Sequence, residues 1–139
     1  MVNPNKVNKI LADVEKYLKE MEGLLPVTLD TLRKNIERRY SLAFLLEQIV
    51  NECINLGNHV ISEKDLGPVT TFKEVFDRLA KVELVSEKTA EGMKKLVEIR
   101  HIIAHRYGGF SNEELLEALK RRSHVKNFVE ELIEKIKSC

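Results

Sequence analysis

Apolar residues along the chain recur at steps of three and four positions, which is the spacing of one face of an α-helix. The first such run covers about residues 5–22 and ends before Gly23 and Pro26. Its apolar members are Val7, Ile10, Leu11, Val14, Tyr17, Leu18 and Met21. Nowhere in the sequence do β-branched residues alternate with polar ones between turn residues, as they do in strands. The pattern therefore predicts an all-α fold.

The second predicted helix is unusually long and unusually apolar. It begins at Thr28, a typical N-cap, and extends to about residue 61, a length of roughly 50 Å that favours a bend near Gly57. Between residues 42 and 56 its apolar side chains cover most of the circumference, so it must contact neighbours on more than one side. Two arrangements satisfy this requirement: burial within one bundle, or coverage of one side by a second subunit in a homodimer.

The rest of the chain is predicted to form three further helices. Capping boxes, in which a Ser or Thr and a Glu three residues later bond each other's backbone, begin at Thr71 and Ser111. They open a short third helix and a last helix that runs nearly to the C-terminus, while Ser86 caps a fourth helix over residues 87–107. The pattern predicts an up-and-down bundle of four to five helices in a single domain, residues 1–139.

Composition and charge narrow the class of protein. The 139 residues include 23 Lys and Arg against 22 Asp and Glu, so a net charge of +1 gives no overall attraction to nucleic acid, and any RNA contact must be local. Cys53 and Cys139 form neither a disulfide framework nor a metal-binding spacing, which favours reduced thiols. No signal peptide or membrane-spanning run is evident, so we expect a cytoplasmic protein without membrane contact.

The end of the fourth predicted helix concentrates chemically active side chains. They are Arg100, His101, His105, Arg106 and Tyr107. Cations at a helix C-terminus interact favourably with the helix dipole, and this structural explanation accounts for Arg106 but poorly for the others. His101 and His105 are four residues apart and could share a metal ion, but no Asp, Glu or Cys completes the set locally. We therefore predict no metal at this site.

Arg100 and His105 do not project from the same side of a regular helix. At about 100° per residue they are separated by about 140°, whereas Arg100 and Tyr107 lie within about 20° of each other. Three arrangements could create a shared site. Arg100 could wrap around the helix, the last turn could unwind at Gly108 and Gly109, or two subunits could bring their sets together across a two-fold axis.

The spacing of Arg100, His105 and Tyr107 resembles the R-x-x-x-x-H-x-Y signature of the HEPN superfamily, specifically its HepT-like toxin branch. The likeness extends to residues 39–61, to residues 71–79 and to the helix order, and so covers nearly the whole chain. His101 departs from the pattern, because members often have Asn directly after the motif Arg. Whether His101 participates is left open by the pattern.

The resemblance implies a helical homodimer that brings two motifs together in a cleft and cleaves RNA, either tRNA or mRNA, without a metal or other cofactor. It also implies a cognate MntA-like nucleotidyltransferase antitoxin, which can attach AMP to the motif tyrosine, here Tyr107. Two alternatives stay open. The protein could be a catalytically silent substrate-binding partner of the nucleotidyltransferase, or a structural adaptor in which the motif only packs.

The implied chemistry suits these side chains. RNA is cut without metal when its 2′-hydroxyl attacks the adjacent phosphorus while a base removes the proton and a cation stabilises the developing charge. We assign His105 as general base or acid, since imidazoles as a class titrate near neutral pH, and Arg100 as the bidentate phosphate clamp. Tyr107 would hydrogen-bond phosphate or stack on a base, and an AMP group on it would exclude RNA.

Several other clusters are secondary candidates. A polar stripe on the second predicted helix is either a solvated face or part of an RNA cleft, and Glu47 and Asn51 are its possible accessory residues, together with His101. Its further members are Asn55, Asn58 and His59. Basic patches at residues 33–39 and 120–124 either hold phosphates or are solvated surface. The aromatic residues are predicted to be core or interface, and not base-stacking platforms. They are Tyr40, Phe44, Phe72, Phe76, Phe110 and Phe128.

Overall fold

The computed structural model describes residues 2–105 and 109–137, and within these ranges the chain forms seven α-helices and no strand. The helices are α1 Pro4–Glu22, α2 Leu29–Lys34, α3 Ile36–Glu63, α4 Phe72–Lys81, α5 Glu87–His105, α6 Asn112–Lys120 and α7 Ser123–Lys137. The predicted all-α class is confirmed, although the number of helices exceeds the predicted four to five. No described helix is both long enough and apolar enough to cross a lipid bilayer.

Two breaks that the apolar pattern does not reveal account for the additional helices. The predicted second helix is interrupted at Asn35, which ends α2 and, as the N-cap of α3, accepts a hydrogen bond from the backbone N–H of Arg38. The predicted last helix is interrupted between Lys120 and Ser123. A polar cap satisfies backbone groups locally and leaves the spacing of apolar residues on either side almost unchanged.

The predicted N-caps at the other helix starts are confirmed. They are Thr28, Thr71, Ser86 and Ser111. Ser111 and Glu114 form the complete capping box, but at Thr71 only half of the box is present. The carboxylate of Glu74 accepts hydrogen bonds from the hydroxyl and the backbone N–H of Thr70 instead, and these bonds lower the pKa of Glu74.

Helix α3 contacts all six other described helices and runs through one continuous apolar core. The apolar residues of α3 between positions 42 and 56 are all buried within this chain, with the exception of Phe44. Burial in one bundle therefore explains the apolar circumference of the helix. The apolar surface around this helix is not evidence for a second subunit.

Gly57 allows two helices to approach each other closely. A Cβ atom at this position would lie 2.4 Å from Cγ1 of Val75 and 3.3 Å from Cδ1 of Leu79, both on α4. The chain stays helical through Gly57, and the long predicted helix is interrupted at Asn35. The glycine thus seats α4 against α3, with the first residue of α4, Phe72, directed toward α5.

Candidate active site

Arg100 lies near the end of α5 and is held by side chains from two other helices. Its Nε donates a hydrogen bond of 2.7 Å to Oδ1 of Asn51 on α3. Its guanidinium carbon lies 5.3 Å from the centre of the Phe72 ring on α4, which is within cation–π range. The half-buried guanidinium is therefore fixed in position by groups that leave its charge uncompensated.

The outer nitrogens of this guanidinium are available to a ligand. Among the described residues, neither Nη atom of Arg100 makes a hydrogen bond, and no carboxylate oxygen lies within 4.0 Å of the group. A guanidinium presents these N–H groups as a planar fork that matches two oxygens of a phosphate. A guanidinium that is held through its Nε, while its Nη atoms stay accessible, is well suited to binding an oxyanion.

The polar stripe of α3 is divided by the fold. Asn51 meets Arg100, and Glu47, one turn earlier, is half-buried without a charged partner among the described residues. Asn55 is exposed and its amide donates a hydrogen bond to the Glu52 carboxylate, while His59 is buried and accepts a hydrogen bond from the backbone N–H of Asn3 at the start of α1. Only the part of the stripe that includes Asn51 belongs to the candidate site.

His101 and His105 are exposed on successive turns of α5. Their ring centroids are 4.4 Å apart and their planes are inclined by 45°. Because α5 is helical through His105, the angular separation of about 140° between Arg100 and His105 is retained. Within the described part of one chain, no hydrogen bond joins Arg100 to either histidine, so a single chain does not gather the two groups around one point.

Tyr107, the third predicted member of the motif, lies outside the described residues. The chain that follows it is attached to the start of α3 by Arg39. The Arg39 guanidinium donates hydrogen bonds to the carbonyl oxygen of Phe110 and to the side chain of Asn112, and it lies 4.2 Å from the centre of the Phe110 ring. Arg39 therefore has a structural role and is not free to hold RNA phosphate.

The other basic patch is also largely engaged within the protein. Arg121 pairs with Glu117 at 2.9 Å, and Arg122 pairs with Glu22 at 2.8 Å. His124 packs against the backbone of α5. This patch therefore carries less free positive charge than its sequence suggests.

A groove of about 610 Å³ adjoins Arg100 between the start of α4 and one face of α5. It is lined by Thr70, Thr71, Phe72, Lys73, Val97, Glu98, His101 and Ile102. Within the described ranges, no three His, Cys, Asp or Glu side chains are close enough together to hold a metal ion. The predicted independence from metal remains a prediction.

The six aromatic residues that were predicted to be core or interface fall into two groups. Phe76, Phe110 and Phe128 are in the core, but Tyr40, Phe44 and Phe72 are 49%, 57% and 46% exposed. Phe72 was the residue that sequence reasoning missed, because its spacing from Phe76 places it on the apolar face of α4. Its position as the first residue of that helix was the only signal that it could project beyond the core.

This chain is a helical bundle with a half-buried Arg and exposed His residues near the end of one helix, the arrangement expected of a HEPN-type protein. It belongs to the HepT-like ribonuclease family, since the model of the family described as Ribonuclease HepT-like matches residues 14–136. The predicted membership of the HepT-like branch is thereby confirmed. The mRNA nuclease HepT of Shewanella oneidensis is 26% identical over 132 residues, which are 95% of this chain and 96% of that protein.

Two solved structures share the fold. YutE from Bacillus subtilis, described as a cytosolic protein of unknown function, has a TM-score of 0.86 at 17% identity and covers 99% of this chain and 92% of its own. A tri-AMPylated Shewanella oneidensis HEPN toxin, solved in complex with an MNT antitoxin, has a TM-score of 0.79 at 23% identity and covers 99% of both chains. At these identities the likeness establishes the fold.

Proposed function

We propose that this chain is the metal-independent endoribonuclease toxin of a HepT/MntA-type pair, with Arg100, His105 and Tyr107 as its active-site residues. The observation that carries the proposal is the fixed Arg100 guanidinium, whose outer nitrogens make no hydrogen bond within the described residues and which shares α5 with the exposed imidazoles of His101 and His105. The related Shewanella protein is named an mRNA nuclease, which favours RNA as the substrate class.

In the proposed reaction the RNA supplies its own nucleophile. The 2′-hydroxyl attacks the adjacent phosphorus while His105 of one subunit removes its proton, and the bond from phosphorus to the 5′-oxygen breaks. The departing 5′-oxygen takes up a proton from water, so the products are a 2′,3′-cyclic phosphate and a 5′-hydroxyl. Arg100 donates to the non-bridging oxygens, where negative charge accumulates in the transition state. Asn51 is a positioning residue that orients the guanidinium through Nε.

A homodimer would resolve the separation of about 140° between Arg100 and His105 by letting one subunit complete the other's site. The reaction scheme then has composite sites, each with Arg100 from one subunit and His105 from its partner. Two such sites are related by the two-fold axis of the dimer. This arrangement is the third of those predicted from the sequence.

An exposed apolar face on α3 offers the surface for this dimer. Ile36 is 63% exposed, and it is followed at intervals of four residues by Tyr40 and Phe44. Tyr40 and Phe44 precede Asn51 by eleven and seven residues. At about 100° per residue, each lies within about 20° of Asn51 around the helix. Self-packing of this face would therefore bring two Arg100–Asn51 pairs near the same axis.

The nuclease proposal is tested by incubating the purified protein with total RNA in excess EDTA. We expect cleavage products with 5′-hydroxyl ends, detected by direct phosphorylation with a polynucleotide kinase. Arg100→Ala and His105→Ala should each reduce the rate by about a hundredfold or more, while Val82→Ala, at an exposed position of the bundle, should retain it. Cleavage that survives both site substitutions, or that requires a divalent ion, would contradict the proposal.

Tyr107 is proposed as the acceptor of AMP from a cognate MntA-like nucleotidyltransferase. The AMPylated toxin among the structural relatives favours this regulation. The added phosphate charge and bulk would exclude RNA from the site. With the partner and ATP, mass spectrometry should find AMP on the peptide containing Tyr107, and Tyr107→Phe should accept none there. AMP transfer without any cleavage by the free protein would instead support the silent substrate-binding alternative.

A further inference from the structure

We infer that the groove beside Phe72 binds a nucleobase of single-stranded RNA, stacked on the Phe72 ring, in the nucleotide whose phosphate Arg100 holds. The inference rests on the proposed nuclease function and adds a base-binding subsite to it. It reverses the prediction that this aromatic residue only packs. The contacts that support it come from α4 and α5.

Phe72 is an exposed aromatic ring beside the proposed phosphate clamp. It is 46% exposed, although the next apolar residues of α4, Val75 and Phe76, are fully buried. The Arg100 guanidinium lies over the ring, 5.3 Å from its centre, and restricts it, while nearly half of the side chain stays exposed. Exposed rings that are fixed in this way stack on bases with little sequence preference, because every base has a π-face.

The groove is lined by both apolar and polar side chains. Val97 is buried and Ile102 half-buried, and both contribute apolar surface. Thr71 and His101 line the same groove and offer hydrogen-bonding groups. A nucleobase has apolar faces and polar edges, so it fits such a groove better than a purely apolar side chain does. The volume of about 610 Å³ is ample for one base.

The charge around the groove is compatible with an RNA backbone. The Glu98 carboxylate would repel phosphate, but Lys73 lies 2.6 Å from it and Lys95 lies 3.4 Å from it. The hydrogen bond from Lys73 is the main reason that the pKa of Glu98 is lowered, and the carboxylate therefore stays ionised and paired. Two lysines therefore pair with this one anion, and Arg100, which contacts Phe72, adds a third cation next to the groove.

Continuity with Arg100 decides between a base and a second copy of this chain as the occupant. Arg100 contacts the Phe72 ring, which lines the groove, and its Nη atoms are accessible to an anion. One nucleotide can therefore stack its base on Phe72 while its phosphate binds Arg100. A second copy would have to place one of its carboxylates at this position, whereas every nucleotide of RNA carries its own phosphate. We therefore assign the groove to RNA.

The binding of a base can be observed directly, because the chain contains no tryptophan. Phe72→Trp installs a single fluorophore that can stack in the same place. In a His105→Ala background, which prevents cleavage, oligoadenylate should quench its emission, and an abasic backbone of equal length should not. Val82→Trp, at the exposed far end of α4, is the matched control and should respond to neither oligonucleotide.

The contribution of the ring is measured by affinity in the same background. Phe72→Ala should weaken oligoadenylate binding about tenfold, whereas Phe72→Tyr should retain it within about twofold. Both variants should bind the abasic backbone as the parent does. Circular dichroism melting establishes that the two variants are folded.

Three results would overturn the inference. They are equal quenching by the abasic backbone, unchanged affinity of Phe72→Ala, and an emission change on Phe72→Trp that follows protein concentration and not RNA, which would place a second copy in the groove. The two proposals fail separately. If Arg100→Ala and His105→Ala still cleave RNA but the groove binds bases, only the proposed roles of Arg100 and His105 in cleavage are contradicted. If those variants are inactive but Phe72→Ala binds oligoadenylate as the parent does, only the proposed base-binding subsite is contradicted.

Discussion

At the scale of single residues, the candidate site depends on how one guanidinium is oriented. Arg100 has five N–H donors, and within the described residues only the one on Nε is used, in a hydrogen bond to Asn51. The Phe72 ring restrains the group from another side. The N–H groups on the two Nη atoms are thereby held in a fixed direction and stay accessible, which is the condition for binding a phosphate with two hydrogen bonds.

Removal of the Asn51 amide should impair catalysis more than binding. Asn51→Ala should lower kcat about tenfold with a smaller change in KM, because a misdirected guanidinium still attracts phosphate but stabilises the transition state less. Asn51→Asp retains the acceptor oxygen and should restore part of the rate. Asn55→Ala, one turn away and bonded only to Glu52, is the control. Equal rates for the Asn51→Ala variant and the parent would remove Asn51 from the site.

At the scale of helices, close packing determines which side chains reach the site. Gly57 seats α4 against α3, and α4 in turn carries Phe72 to Arg100. His124 of α7 similarly packs against α5 at Gly92, where a Cβ atom would lie 2.3 Å from Cγ of His124. Each of these close approaches depends on a glycine in one helix and on a specific side chain in the other. Each leads to a measurable effect on stability.

Gly57→Ala should reduce the free energy of unfolding by about 1–2 kcal/mol. Overpacking against Val75 costs about 1–3 kcal/mol, and the better helix propensity of Ala offsets up to about 1 kcal/mol of it. Urea denaturation measures the loss. In a Val75→Ala background the added methyl group has room, so the same substitution should become neutral or stabilising. An equal loss in both backgrounds would show that Gly57 is not needed for this contact.

His124 should make folding sensitive to mild acid. Burial, and then the charges of Arg121 and Lys88, lower the pKa of His124 below its ordinary 6.5, and its buried Nδ1 has no hydrogen-bond partner within the described part of the chain. The unfolded chain therefore takes up the proton at a higher pH than the folded chain. Stability is complete above about pH 6.5 and is lost as the pH falls from there toward the lower folded value.

The measurement is the free energy of unfolding at about pH 7.5 and about pH 5.5. The parent should be less stable at the lower pH, and His124→Gln should reduce that difference. His101→Gln, at an exposed histidine, should not. If the difference is as large in the His124→Gln protein as in the parent, protonation of His124 is not its cause.

At the scale of the whole molecule, the proposed active site requires the association of two chains. A single chain has Arg100 and His105 on different sides of α5, and the exposed face with Tyr40 and Phe44 lies in line with Asn51. Phe44→Glu places a charge on this face at a position that is 57% exposed, so it should not disturb the fold. The consequence should be confined to dimerisation and activity.

Two inactive variants should restore activity when they are mixed. In a mixed dimer of Arg100→Ala and His105→Ala subunits, one of the two composite sites has both an intact Arg100 and an intact His105. Random pairing should therefore recover up to about a quarter of the parent rate. Phe44→Glu in both variants should abolish the recovery and yield monomers in analytical ultracentrifugation, and Val82→Glu should do neither. No recovery from well-mixed dimers would show that the site is not shared.

Much of this protein was predictable from its sequence because the relevant physics is local. Periodic apolar residues determined the all-α class, and Thr28, Thr71, Ser86 and Ser111 marked where helices begin. Asn35 was not recognised as a break, since an N-cap inside an uninterrupted apolar pattern leaves the periodicity intact. The motif spacing identified the family, and Asn51 was already a candidate accessory residue.

Only the tertiary structure decided how those residues combine. The pairing of Arg100 with Asn51 and Phe72 joins three helices, and the use of Arg39 to hold Phe110 and Asn112 joins segments more than 70 positions apart. Spacing along a helix reports which residues share a face, but it contains no information about which other helix lies opposite. The sequence alone therefore determined helices, caps and family membership, while packing decided which cation stayed free and which aromatic ring stayed exposed.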